Sequence, residues 1–309
     1  MYSSIDETYA IAVSKKFQEK TGITVKLVGD SEETKSTGLL NRLLAERARP
    51  IADIFWSGDI MRAAVLKRNG LTDPYIPANS QPNRNYDDPD HYYTAGSGRL
   101  RLILYHRSAT SQGLPRSVLD LAKPQFAAHS CMANPLFGTT SMHAAALFEA
   151  VGDEVATRFF NDFHANGGRM LASNGEVRRR VSAGEFMFGL TDSDDVSVAL
   201  ADGKPVNYII PDQSDAGAVF VPSAVVLIHG APHKELAQRL ADFLCSAEVE
   251  QMMAVSTAAH FPLRAELAPP PVFGKRLTEI KTMKLDYSRL ATRIEALQGS
   301  FLKKWTETQ

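Results

Sequence analysis

Apolar positions recur at helical spacing over residues 7–20, and Thr21-Gly22 ends the pattern, so the chain is predicted to open on a helix. Residues 23–28 then alternate apolar and polar side chains, the period of a strand. A polar turn at 29–33 leads to a predicted helix over 34–48, which Pro50 stops, and 52–56 reads as the next strand. Strand, helix, strand, helix in that order predicts a parallel sheet wrapped by helices.

Residues 73–95 carry Pro, Asn and Asp without periodicity and read as a surface connection before a long strand at 99–105. A second α/β set follows. Helices are predicted near 118–122, from Ser141, near 154–165 and near 177–183; strands are predicted near 130–133, 169–171 and 186–190. Another long apolar strand spans 218–228, then helices at 232–245 and 247–255, and a last one at 287–305 that suits either half of the molecule. Two long strands bracketing a self-contained α/β block predict a chain that crosses to a second lobe and returns. The expected division is lobe 1 at 1–101 and 225–270, lobe 2 at 102–224, and a C-terminal helical segment, 271–309, packing on the lobes.

Length agrees with that division, because 309 residues exceed one ordinary domain. Apolar residues make up 44% and charged residues 22%, enough for each half to bury a core. The 34 basic and 35 acidic residues leave a formal net charge of -1, and Arg178-Arg179-Arg180 lies in a helical pattern as a solvated face, so nucleic acid is not expected as a partner. Cys131 and Cys245 sit in apolar surroundings without metal or redox spacing and read as buried free thiols. No apolar run approaches the roughly 18 residues of a membrane span. No signal segment is recognised, and Met1-Tyr2-Ser3-Ser4 reads as the tail of a first strand, as in a trimmed mature form.

The sequence holds no G-x-x-x-x-G-K-[ST], H-E-x-x-H or G-x-S-x-G, and Gly96-Ser97-Gly98 precedes a strand instead of opening a helix. What remains are turns beyond predicted strand ends, where an α/β sheet presents side chains to a ligand. Gly138 is followed by Thr139, Thr140 and Ser141 at the start of an Ala-rich helix, where hydroxyls and free N–H groups suit an anion. Asp192, Asp194 and Asp195, with Asp6 and Asp59 in other turns, form a candidate carboxylate cluster, although Asp194 or Asp195 singly also suits capping of the following helix. Trp56 at a strand end suits the floor of a pocket. His143 has no second His or Cys at ligand spacing and reads as a packed or capping side chain.

Tyr2-Ser3-Ser4, Thr21-Gly22-Ile23-Thr24-Val25, Ala52-Asp53-Ile54-Phe55-Trp56, Gly70-Leu71, Ser97-Gly98-Arg99, Gly184-Glu185, Ala231-Pro232-His233 and Ala247-Glu248-Val249-Glu250 occur in an order that resembles the solute-binding proteins of ABC transporters. The extracellular solute-binding family 1, and within it the ferric-ion-binding group, is the nearest in pattern. The resemblance implies a two-lobed periplasmic-binding-protein fold of type II, a ligand cleft between the lobes, a periplasmic or outer-face location, a monomer, a membrane permease as partner, and no cofactor. In that group iron is held by a His, a Glu and a Tyr-Tyr pair, whose positions fall here on Asp6, on Gly58 or Asp59, and on Asp194 and Asp195, so the iron ligands are absent. The group's anion-anchoring turn matches Thr139-Thr140-Ser141 with Asn174, whereas Asp192 stands where an Asn faces the anion.

The expected function is therefore capture of a small ligand and its delivery to a permease, without catalysis. The expected binding residues are Ser4, Asp6, Trp56, Asp59, Thr139, Thr140, Ser141, Asn174, Asp192, Asp194 and Asp195. An anion site beside an acidic turn favours a small aminated anion, such as an aminophosphonate or amino acid, over a metal cation held with a companion anion. An enzyme using the carboxylates as general acid and base is the rival from another class, and turnover of a bound ligand separates the two.

Overall fold

The structure is a computed structural model that describes residues 1–30, 37–81 and 86–308. It divides into two compact units: Met1–Gly98, Val221–Ser256 and His260–Leu277 form the first, and Arg99–Phe220, Thr257–Ala259 and the described residues from Thr278 onward form the second.

β1 (Tyr2–Ser3) leads into α1 (Glu7–Thr21), which buries Ala10, Val13 and Phe17 on one face and ends on Gly22 at φ 71°, a left-handed conformation that glycine adopts without strain. β2 is only Val28–Gly29. Residues 23–27 keep their alternation but lie outside the ladder, because β1 offers just Tyr2 and Ser3 to pair with Val28 and Gly29. The end of the polar turn predicted at 29–33 and the start of the helix predicted at 34–48 lie outside the described residues; α2 is Thr37–Ala45. β3 (Ile54–Ser57), α3 (Ile60–Arg68) and β4 (Thr72–Asp73) follow, and β5 (Thr94–His106) runs longer than predicted and carries the chain into the second unit.

Val118–Ala122 forms a 3-10 turn in place of the predicted helix, opened by a capping box between Ser117 and Asp120. The second unit continues with α4 (Pro124–Ala127), β6 (Ser130–Ala133), α5 (Gly138–Val151), α6 (Asp153–Ala165), β7 (Arg169–Leu171), α7 (Asn174–Ser182), β8 (Phe188–Asp192), α8 (Ser193–Ala201) and β9 (Val206–Ile209), the last of which the sequence pattern missed. β10 (Phe220–Ile228) returns to the first unit, where α9 (Lys234–Leu244) and α10 (Ala247–Val255) follow. The helix predicted at 287–305 is two helices, α11 (Tyr287–Gln298) and α12 (Phe301–Thr306). Gly299 closes α11 and Ser300 leaves helical geometry at φ -132°, ψ -97°; the turn sets Phe301 against Phe148 and Phe160 and Trp305 against Phe160, with the Trp305 indole N–H donating to the Phe160 carbonyl at 2.9 Å. Edge-to-face ring contacts of this kind add about 0.5–1.5 kcal/mol each beyond area burial, which fixes these helices on the second unit. Among the described residues no helix is long and apolar enough to cross a membrane.

In the first unit β1 pairs in parallel with β2 and β3, and β10 runs antiparallel to β3 and β4. In the second, β7, β6 and β8 are parallel, and β5 lies antiparallel to β8 and β9. α7 packs directly on β8, because Gly189 has no side chain there; a Cβ at that position would lie 2.5 Å from Val177 Cγ1. That approach brings the first turn of α7 beside the end of β8.

Candidate functional site

The carboxyl ends of β6, β7 and β8 each lead through a short turn into a helix, so the first turns of α5, α7 and α8 gather at one edge of the second sheet. Each first turn presents the positive end of a helix dipole. Thr139 and Thr140 enter from α5, Asn174 from α7, and Asp192, as the N-cap of α8, from the end of β8. β5 completes the edge. Its register sets Arg101 opposite Asp192, so the two side chains share a face, and the strand period puts Arg99 on that face too.

Arg101 is fully buried and is the hub of this set. Its guanidinium donates to the Asp192 carboxylate at 2.7 Å, Thr139 Oγ1 at 3.1 Å, Thr140 Oγ1 at 3.2 Å, Asn174 Oδ1 at 3.3 Å and, through Nε, His143 Nδ1 at 3.4 Å. The other Asp192 oxygen accepts from Thr139 Oγ1 at 2.6 Å and Asn174 Nδ2 at 3.2 Å. Burial pushes the Asp192 carboxyl upward, but Arg101 and Arg99 together outweigh it and hold the group below its ordinary range, as an anion at neutral pH. His143 stands one turn beyond Thr139 on the same face of α5. Burial, then the neighbouring Arg101 charge, holds its pKa down to about 3, so the ring is neutral; because Nδ1 accepts from Arg101, Nε2 carries the proton, buried and without a partner.

Arg99 donates to Asp194 at 3.1 Å and lies 3.3 Å from Asp192, and these carboxylates raise its pKa in spite of burial. Asp195 accepts from Thr191 Oγ1 at 2.7 Å and lies 3.4 Å from Arg178. Burial, then the charge of Asp194, pushes its pKa up to about 7. Asp194 also accepts the Asp195 N–H at 2.9 Å, inside the first turn of α8. The structure thus brings Thr139, Thr140, Asn174, Asp192, Asp194 and Asp195 together, but the acidic cluster expected from sequence is a charge-alternating network with Arg99, Arg101 and Arg178. Arg178 departs from the solvated face expected of its triplet and faces Asp195, whereas Arg179 and Arg180 are exposed, Arg180 pairing with Glu176 and Glu185. The Ser141 hydroxyl donates to the Gly138 carbonyl at 2.7 Å.

Of the four candidates in the first unit, Ser4 and Asp59 hold turns in place there. Ser4 Oγ accepts the Gly58 N–H at 2.9 Å, and Asp59 caps α3 by accepting the Met61 N–H at 2.7 Å, with Arg62 3.4 Å from its other oxygen. Trp56 is buried in β3, and Asp6 is the N-cap of α1. Sequence reasoning missed Arg99 and Arg101 as site residues. A signal was present: two arginines two residues apart in an otherwise apolar strand share a face and, if that face is buried, require acidic partners.

Residues 49–285 match the family model of bacterial extracellular solute-binding proteins, and the chain belongs to that family. It is the solute-binding component of an ABC import system. It is 25% identical over 272 residues to the major ferric iron-binding protein of Neisseria meningitidis serogroup A, covering 85% of this chain and 80% of that protein. It is 27% identical over 273 residues to a putative 2-aminoethylphosphonate-binding periplasmic protein of Salmonella typhi, covering 85% and 76%. In fold it is similar to iron-bound HitA from Pseudomonas aeruginosa (TM-score 0.86, 22% identity, 96% of this chain and 97% of that one). The periplasmic binding protein AfuA from Actinobacillus pleuropneumoniae, with fructose-6-phosphate bound, matches at TM-score 0.84 with 19% identity over 99% and 96% of the chains. The fold is thus the two-lobed α/β fold of periplasmic binding proteins.

Proposed function

We propose that this protein captures a small zwitterion, an aminophosphonate or an amino acid, at the charged edge of its second unit and hands it to a membrane permease, working as a periplasmic monomer and releasing the ligand unchanged. The observation that carries the reading is the adjacency of opposite charges at the more accessible margin of the network. Arg99 and Asp194 are 7% and 8% exposed, whereas Arg101 and Asp192 behind them are 0% and 1%. A ligand therefore meets a guanidinium and a carboxylate 3.1 Å apart. A phosphonate or carboxylate placed on Arg99 and an ammonium placed on Asp194 extend the alternation of charge without adding net charge. The name of the Salmonella relative supports the aminophosphonate option. A ferric ion is served less well, since Arg99, Arg101 and Arg178 stand among Asp192, Asp194 and Asp195 and repel a bare trivalent cation more strongly than a ligand of no net charge.

Isothermal titration with 2-aminoethylphosphonate, phosphate, amino acids, neutral sugars and ferric citrate tests the proposal. Binding of a zwitterion is expected, and Asp194→Asn is expected to weaken it about tenfold or more, the worth of one charge-assisted hydrogen bond. Response to ferric citrate alone, or to neutral sugars alone, overturns the reading.

A further inference from the structure

A buried arginine, the Thr139 hydroxyl in the first turn of α5 and the Asn174 amide in the first turn of α7 make a receptor for an oxyanion: an O–H donor, an N–H donor and a guanidinium converge on one point beside the positive ends of two helix dipoles, and Thr140 braces it by accepting from Arg101 and donating to Asn174 Oδ1. In this chain that point is filled from within. The Asp192 carboxylate takes Arg101 on one oxygen, at 2.7 Å, and Thr139 and Asn174 on the other, at 2.6 and 3.2 Å, and it is 1% exposed. The backbone makes this placement obligatory, since Asp192 is both the register partner of Arg101 and the N-cap of α8.

We infer that Asp192 is a resident anion: it occupies the oxyanion position of the site, shuts free phosphate and similar ions out of the Arg101 position, and confines the anionic end of a ligand to Arg99. The inference rests on the proposed function only for where the ligand lies; the occupancy itself is independent of it. Three details fit. Arg101 spends its guanidinium on Asp192, Thr139, Thr140, Asn174 and His143, leaving no fork for a bidentate ligand. His143 is neutral and supplies an acceptor to Arg101 instead of a second positive charge. Charge balances inside the core, one guanidinium to one carboxylate, so no mobile ion is needed to bury it.

The test uses inorganic phosphate and formate as probes, with no organic ligand present, so its outcome is separate from that of the zwitterion titration. At matched ionic strength, phosphate is expected to leave the thermal midpoint of the wild-type protein where it stands in chloride. Asp192→Ser, which removes the charge and withdraws the side chain from the position while keeping a residue suited to the N-cap, is expected to bind phosphate at least about tenfold more tightly than wild type. Asp192→Ala is expected to lose stability and regain most of it in formate, which replaces the missing carboxylate, and not in chloride. Should the alanine variant fail to fold, the phosphate affinity of the serine variant decides. Wild type binding phosphate as tightly as Asp192→Ser, or a serine variant that gains no affinity for phosphate, overturns the inference.

Discussion

Replacing Arg101 by methionine is expected to lower the unfolding free energy by about 3–5 kcal/mol, the cost of leaving a buried carboxylate without its main partner. The loss falls on Asp192, which is 1% exposed and would keep only Arg99 at 3.3 Å with the hydroxyl of Thr139 and the amide of Asn174. It also strips hydrogen bonds from Thr140 and His143, both buried. Methionine matches the stem of arginine well enough that lost packing is the smaller part. Adding Asp192→Asn to Arg101→Met removes the orphaned charge, so the double variant is expected to recover much of the deficit, a coupling that a double-mutant cycle measures directly. Urea midpoints with an unchanged slope check the prediction, and Arg179→Met, at an exposed position of α7, serves as the comparison. An Arg101→Met protein no less stable than Arg179→Met would remove the hub role.

Asp195→Asn is expected to gain stability relative to wild type as the pH rises. The folded carboxyl titrates near 7, far above the ordinary carboxylate range, because of burial and then Asp194. Below about pH 4 the group is protonated in both folded and unfolded chains and contributes its full share. Between about 4 and 7 the unfolded chain releases the proton that the folded one keeps, so wild type loses stability with rising pH, and the difference from the variant then levels off. His143 works in the other direction. Its folded pKa is held down to about 3, so its contribution is present above the ordinary histidine value and is lost as the pH falls from about 6.5 toward 3. The two slopes oppose one another between about pH 4 and 6.5 in wild type, and Asp195→Asn exposes the histidine slope alone as a steeper acid loss. Denaturation midpoints across pH 4–8 decide: parallel curves for the two proteins would show that Asp195 does not hold its proton in the folded state.

Much of the site was legible from local chemistry. Three hydroxyls after Gly138 and an Asp-rich turn after an apolar run lie where strand ends meet helices, Asn174 comes from the family resemblance alone, and the structure gathers Thr139, Thr140, Asn174, Asp192, Asp194 and Asp195 within one unit. Ser141 reads the same as its neighbours in sequence, yet its hydroxyl turns back to Gly138, because position around the helix decides which hydroxyl faces the sheet edge. The short strand at β2 and the break between α11 and α12 escaped the pattern for similar reasons. Alternation says which residues face inward but not whether a neighbouring strand is long enough to pair, and helical spacing continues through Gly299-Ser300 although aromatic packing turns the chain there.

What the sequence by itself determined is most of the succession of strands and helices and the turns where hydroxyl and carboxylate side chains gather, since both follow from periodicity and from side chains acting on their own neighbours in the chain. What only the tertiary structure decided is the sign of that chemistry. Arg99 and Arg101 lie more than ninety residues before the aspartates they neutralise, and the pairing depends on the antiparallel register of β5 on β8 and on the burial of both strands. Charge interactions act through space and strengthen as water is excluded, so an acidic turn read from sequence became, in the folded molecule, a balanced network with its own resident anion.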